Sequence, residues 1–209
     1  MAKYRRTYLC ICEGQQETMY FSHLAKLIKD FPNKVVKFNT YEDLPLRLEK
    51  RYENYDSAAI FDYDHNDAEV KKNIEFCYKL NKKLKPTIRK EGRCVYHAYS
   101  NVNFDLWLIL HKEDFNRMVS KNDSYITDLK KVYGLKPTDN IKNEEVINKI
   151  LNQITLDDVK AAIERADNIR RRKANADCIL FGNTKTYSNP DFSIHEFLKA
   201  VLQDSGDLD

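Results

Sequence analysis

Apolar residues fall in two alternating textures over the first half of the chain. TYLCIC, residues 7–12, is a short β-branched and aromatic run that stops at Glu13-Gly14, as a buried strand followed by a tight turn does. QQETMYFSHLAKLIKDF follows, with Phe21, Leu24, Leu27, Ile28 and Phe31 on one helical face and Pro32-Asn33 as its stop. KVVKFNT, 34–40, reads as a second strand and LPLRLEKRYENY, 44–55, as a short amphipathic helix. SAAIFD, 57–62, is a third buried strand and runs into DYDHND, 62–67. A charged helix with Val70, Ile74, Cys77 and Leu84 on one face leads to a fourth strand, CVYHAYSN, 94–101. Strands alternating with helices predict a parallel sheet of about four strands covered by helices.

The texture then changes. FDLWLILH, 104–111, is apolar nearly all round and reads as a buried helix or a core turn. From 122 to 204 the pattern is helical throughout, with a turn at Gly134–Thr138 and acidic final residues DSGDLD that fray. Thr155-Leu156-Asp157-Asp158 predicts a capping box before a helix whose apolar face is Val159, Ala162, Ile163, Ala166 and Ile169. Ser193-Ile194-His195-Glu196 repeats that pattern before Phe197, Leu198, Val201 and Leu202. The fold class expected is α/β, with a core over 1–111 and a helical extension over 112–209 packed on it as one continuous domain.

Composition agrees. With 5 Gly and 5 Pro in 209 residues, breakers are scarce, which excludes collagen-like, linker-like and turn-dense all-β classes. The five cysteines, at 10, 12, 77, 94 and 178, show no pairing pattern, no secretory h-region precedes TYLCIC, and no apolar window approaches a membrane span. A reduced, cytoplasmic protein is expected. Cys10 and Cys12 share a strand face and read as core packing.

Candidate chemistry gathers at strand ends, where open α/β sheets bind ligands. The first strand ends at Glu13, with Glu17 in the first turn of the following helix; the third ends at Asp62, with Asp64 two residues on and Asp67 beyond. Alternation points Asp62 and Asp64 the same way if the strand reaches both. A buried strand needs no carboxylates at its tip, and converging acids repel. A divalent cation removes that cost, and an oxygen-only set suits Mg²⁺ or Mn²⁺. The bland alternative is helix capping, with Asp67 as N-cap.

Four stretches, ICEGQQETMYF (11–21), FDYDHND (61–67), AYSNVNFDLWLILH (98–111) and KTYSNPDFSIHEFL (185–198), together resemble the RloB-like family of TOPRIM proteins, relatives of the OLD-type nucleases. The resemblance implies a TOPRIM sheet, an acidic two-metal centre, nuclease activity on RNA (tRNA included) or DNA, and an effector role in bacterial anti-phage defence beside an ATPase partner. Residue by residue it implies Glu13 as the TOPRIM glutamate, Asp62 and Asp64 as the metal pair, Glu17 as a further catalytic acid and Asp105 as a second-tier ligand. Two departures stand out: the family's Glu-Gly-x-x-Thr-Glu is here Glu-Gly-Gln-Gln-Glu-Thr, and its Asn-Pro-x-Phe-Glu is here Asn101-Val102-Asn103-Phe104-Asp105. Asp105 reads equally as an N-terminal helix charge beside Trp107.

The formal charge of +3 hides segregation. Bases cluster at 79–93, best read as a solvated face, and at Arg170, Arg171, Arg172 and Lys173, a candidate phosphate-binding run that also suits a helix C-terminus. Lys121, Lys173 and Lys185 are candidates for a catalytic cation, and His65 for a ligand or donor within the acidic loop. Tyr4, Tyr96 and Tyr99 are candidates for base stacking. The leading expectation is a metal-dependent nuclease, against a catalytically silent TOPRIM scaffold or sensor for the ATPase, and a nucleotidyltransferase or phosphatase using the same metals. No GxxxxGK[ST] loop is present, so a P-loop ATPase is excluded. A protein partner or homo-oligomer is compatible with the helical half.

Overall fold

A computed structural model describes residues 4–28, 34–42, 51–85, 93–119 and 125–208. Four strands run parallel: β1 (Tyr4–Cys12), β2 (Lys34–Glu42), β3 (Asp56–Asp62) and β4 (Val95–Asn101). Their order is β2-β1-β3-β4, and a fifth strand, β7 (Asp191–Phe192), closes the β4 edge antiparallel. Among the described residues, two crossovers run through a helix, α1 (Gln15–Ile28) after β1 and α2 (Asp67–Lys83) after β3. The sheet is therefore the expected parallel one, with an added antiparallel edge.

Strand alternation sorts two cores. Tyr8, Cys10 and Cys12 of β1, with Ala58 and Ile60 of β3, face one side; Leu9, Ile11, Ala59 and Phe61 face the other. The second side is covered by Val70, Ile74, Cys77 and Leu80 of α2. The first is covered by α1 and by α7 (Ile194–Ser205), which packs against β4, and it runs on without a break into the helical part. That part comprises α3 (Phe104–Leu110), α4 (Ile126–Val132), α5 (Glu144–Leu151) and α6 (Leu156–Arg172). Every residue of α3 is buried, as its all-round apolar character requires. The cysteines are unpaired, and Cys10, Cys12 and Cys77 are core residues. No helix among the described residues is long and apolar enough to cross a membrane.

Thr155 and Asp158 form the expected reciprocal capping box on α6. Ser193 precedes α7 but makes no side-chain cap; its Oγ donates to His97 O (2.6 Å) and accepts from Tyr99 N (3.0 Å), fastening α7 to β4 instead. The helix expected over 44–55 lies mostly outside the described residues, and 51–53 form a short 3₁₀ turn. The stop at Pro32-Asn33 also lies outside them.

The uniform helical texture expected from 122 to 204 is corrected by a hairpin, β5 (Cys178–Phe181) and β6 (Thr184–Tyr187), and by β7. Strands of four, four and two residues are too short to show a period of two. The signal was the turn itself: Gly182-Asn183 joins paired Phe181 and Thr184, and Gly182 takes φ 62°, the conformation a two-residue hairpin loop reserves for glycine.

Candidate metal centre

The carboxyl ends of β1, β3 and β4 converge on one cavity of about 560 Å³. Glu13, Glu17, Asp62, Asp64 and Asp105, the five acids singled out in the sequence, all line it. Glu13 follows β1 directly, and its Oε2 accepts a hydrogen bond from the Asp62 N–H at 2.8 Å, tying the tips of β1 and β3 together. Glu17, in the first turn of α1, is 5% exposed and folds back over Gly14. A Cβ at Gly14 would stand 3.2 Å from Glu17 Oε2, so glycine keeps room for that carboxyl. Asp105 opens α3 and accepts from Gln16 Nε2 at 3.2 Å.

Asp64 reaches the cavity by a route other than strand alternation. β3 ends at Asp62, and the chain turns through left-handed backbone at Asp64 (φ 46°) and His65 (φ 55°). Asp67 does not cap α2; Asn66 does, accepting from Glu69 N, and Asp67 accepts from Tyr63 Oη at 2.6 Å. Neither acid is consumed by the capping alternative: Asp62 and Asp64 are left facing the cavity.

Electrostatics set these acids apart from ordinary surface carboxylates. Burial pushes Glu17 up to about 7, and the Glu13 and Asp105 carboxylates add to it. Asp62 is raised well above its usual range, first by burial and then by Glu17, Glu13, Asp64 and Asp105. Burial likewise raises Glu13 and Asp64, and pushes Asp105 up to about 6 despite the Gln16 hydrogen bond. The acids of the cavity thus oppose one another's ionisation.

Among the described residues, one lysine lines this cavity. Lys142, in the turn before α5, lines the cavity and favours ionisation of Asp64 and Asp105. No sequence feature marks this lysine, because it lies in a turn between helices and becomes relevant only when α5 packs against α1. Of the lysines considered from sequence, Lys121 lies outside the described residues, and neither Lys173 nor Lys185 lines the cavity.

The donor set fits a hard divalent cation: carboxylate oxygens only, desolvated and mutually repelling. Among the described residues, however, no three His, Cys, Asp or Glu side chains already stand at the spacing of a metal's ligands. A bound cation would have to draw these side chains inward.

The basic run at the end of α6 divides. Arg170 donates to Phe192 O and Lys185 O, pairs with buried Asp191 at 3.7 Å and lies beside Tyr99 Oη. Lys173 Nζ donates to Ser188 O and Pro190 O, both at 2.6 Å. These two cations hold the 185–192 segment to α6. Arg171 and Arg172 are solvent-facing, with Arg172 3.6 Å from Asp114. In the 79–93 stretch, Lys79, Lys82, Lys83 and Lys85 are exposed, and 86–92 lie outside the described residues. Tyr99 is buried on Asp191 and Tyr96 packs on Phe197, so neither offers a free face to a base, while the Tyr4 side chain is outside the described set.

No curated protein and no solved structure matches the chain. The family model for RloB-like protein does match it, over residues 8–200, and with nearly the whole length covered the chain belongs to the RloB-like family.

Proposed function

We propose that this RloB-like protein is a nuclease that hydrolyses phosphodiester bonds with Mg²⁺ or Mn²⁺ at the acidic cavity. One observation carries the reading: five carboxylates from three strand ends line a single cavity, and burial and mutual repulsion raise their proton affinity. Such an arrangement costs stability in a protein that does not use it. Glu13, Asp62 and Asp64 would hold the cation, with Asp105 as an outer ligand. When bound, the cation supplies charge stabilisation and a water acidified enough to attack phosphorus.

The chain's own groups supply the rest. Glu17, buried beside the strand tips, can take a proton from water. Lys142 brings positive charge to the same cavity, where an equatorial phosphate oxygen gains charge during transfer. Gly14 keeps the Glu17 carboxyl close to the strand tips. The nucleic acid is RNA or DNA, approached by Arg171 and Arg172, and the resemblance to OLD-related defence proteins extends the proposal to an anti-phage effector working beside an ATPase.

A second reading has its own observation. The carboxylates do not close into a three-ligand set among the described residues, which suits a silent scaffold or sensor subunit for the ATPase. Co-expression with the adjacent ATPase, followed by incubation of RNA and DNA with Mg²⁺ or Mn²⁺, separates the two. Cutting that is lost in Glu13→Ala and Asp62→Ala supports the nuclease. Cutting that survives both substitutions places the chemistry elsewhere, and no cutting of any substrate supports the scaffold.

A further inference from the structure

The tip of β3 serves two cavities. Asp62 and Asp64 line the acidic one, and the residues interleaved with them, Tyr63 and His65, line a neighbour of about 980 Å³. The left-handed turn at Asp64 and His65 is where the chain divides its side chains between the two. The second cavity opens past the end of β4, between this turn and the β5–β6 hairpin, so both lie at the carboxyl edge of one sheet.

Its chemistry differs from that of its neighbour. Two tyrosines, Tyr63 and Tyr187, line it and are 5% and 8% exposed. Met118 and Ile179 also line it while 67% and 44% exposed, an apolar rim that nothing in the described chain covers. The lining supplies several acceptors beside the His65 ring and the Thr186 and Ser188 hydroxyls. Asp67 and Asp177 contribute carboxylates, and the side-chain oxygen of Asn101, a residue only 4% exposed, has no hydrogen-bond partner while its amide nitrogen donates to Tyr187 O. The lining arginine, Arg117, is engaged with Asp128 and lies against Phe115. Acceptors, aromatic rings and apolar edges disfavour a phosphate here. They suit a flat ligand that donates hydrogen bonds.

We propose that this cavity is a base subsite: it takes the nucleobase next to the phosphate held at the acidic centre, and it prefers bases with an exocyclic amino group. The assignment rests on the nuclease reading above for the position of that phosphate. The shared β3 tip favours a nucleotide over a basic peptide, because one ligand then spans both cavities with its phosphate on one side and its base on the other. The strand must be single or locally opened, since a paired, stacked base presents neither its face nor its amino edge.

Fluorescence anisotropy with short labelled oligo-A, oligo-C and oligo-U RNA tests this, in a Ca²⁺ buffer free of Mg²⁺ and Mn²⁺. Oligo-A and oligo-C should bind about tenfold more tightly than oligo-U, the scale of a good base-edge contact. Ile179→Glu and Asp177→Asn, both at exposed positions, should bring the three to a common weak affinity while melting like wild type. Equal affinity for all three, no binding of any, or a preference that survives both substitutions overturns the subsite. So does a lysine-rich peptide that binds the wild type and loses affinity in Asp177→Asn, which would make the cavity a protein-docking site. The two readings fail separately. Base-selective binding without cleavage in Mg²⁺ or Mn²⁺ removes the nuclease and keeps the subsite; cleavage with no base preference does the reverse.

Discussion

Glu17→Gln should make the cation-free protein more stable at alkaline pH while weakening any chemistry at the site. Glu17 is buried beside Glu13 and Asp105 and is pushed from 4.5 to about 7. Its folded-state affinity for a proton is raised, so its contribution to stability is fully present below about pH 4.5 and is lost as pH rises through about 7. Each pKa step corresponds to about 1.4 kcal/mol, so by pH 8 the wild type carries a penalty of at most about 3 kcal/mol from this one carboxyl. Glutamine keeps the shape and one acceptor oxygen for the backbone N–H of Gly14, but removes the charge. Its new N–H groups sit among carboxylates that can accept them. For a chain of this size about 3 kcal/mol corresponds to a rise of roughly 6–12 °C in Tm. Circular-dichroism melts in EDTA at about pH 4 and pH 8 measure it: the variant should gain at the higher pH and match the wild type at the lower. Equal melting of the two proteins at pH 8, or a gain independent of pH, would refute the claim that buried like charge strains this site.

Other outcomes follow from the same geometry. Mn²⁺ should raise the wild-type Tm at about pH 8 and much less at about pH 5, where protons compete for the raised carboxyls, and Asp62→Asn should abolish that gain in the same melts. Lys142→Met should lower kcat for cleavage by about 10²-fold with little change in fold, the scale of losing one group that stabilises developing charge; an unchanged kcat would remove Lys142 from the site. Thr155→Ala should cost about 1 kcal/mol in urea unfolding through the lost cap of α6, without affecting the acidic cavity. Arg170→Met should cost about 3 kcal/mol, because Asp191 would remain buried without its paired guanidinium, and oligonucleotide binding should fall only as far as folding does.

The acidic site was legible because strand ends are legible. A buried β-branched run that stops at an acid gives both the position of the tip and the oddity of a charge there, and Glu13 and Asp62 satisfy both conditions. Glu17 followed from helical spacing, since the first turn of α1 lies over the tip of β1. Asp64 lines the same cavity as Asp62, but the condition attached to alternation, that the strand reach both, is not met. Strand alternation would need β3 to continue, whereas β3 stops at Asp62 and a turn with positive φ delivers Asp64. Asp105 was an open choice between helix charge and ligand, and its place in one cavity with Glu17, bonded to Gln16, is a tertiary fact.

What the sequence hid depends on partners far along the chain. Arg170-Arg171-Arg172-Lys173 looks uniform as a string, yet helix geometry turns successive residues about a hundred degrees apart. Arg170 and Lys173, three apart, share the face that meets the carbonyls of 185–192, while Arg171 and Arg172 point away. A charge run therefore overstates the surface it offers by the number of its members that fasten the chain to itself. The reverse holds for Lys142, an unremarkable lysine in a polar turn whose whole interest comes from the acids it faces. Both cases have one cause: backbone carbonyls and buried acids are strong partners for a cation, and which lysine or arginine meets them is decided by packing between elements, not by local sequence. The cation worth testing at this site is accordingly the isolated one in the turn, and not the conspicuous cluster on α6.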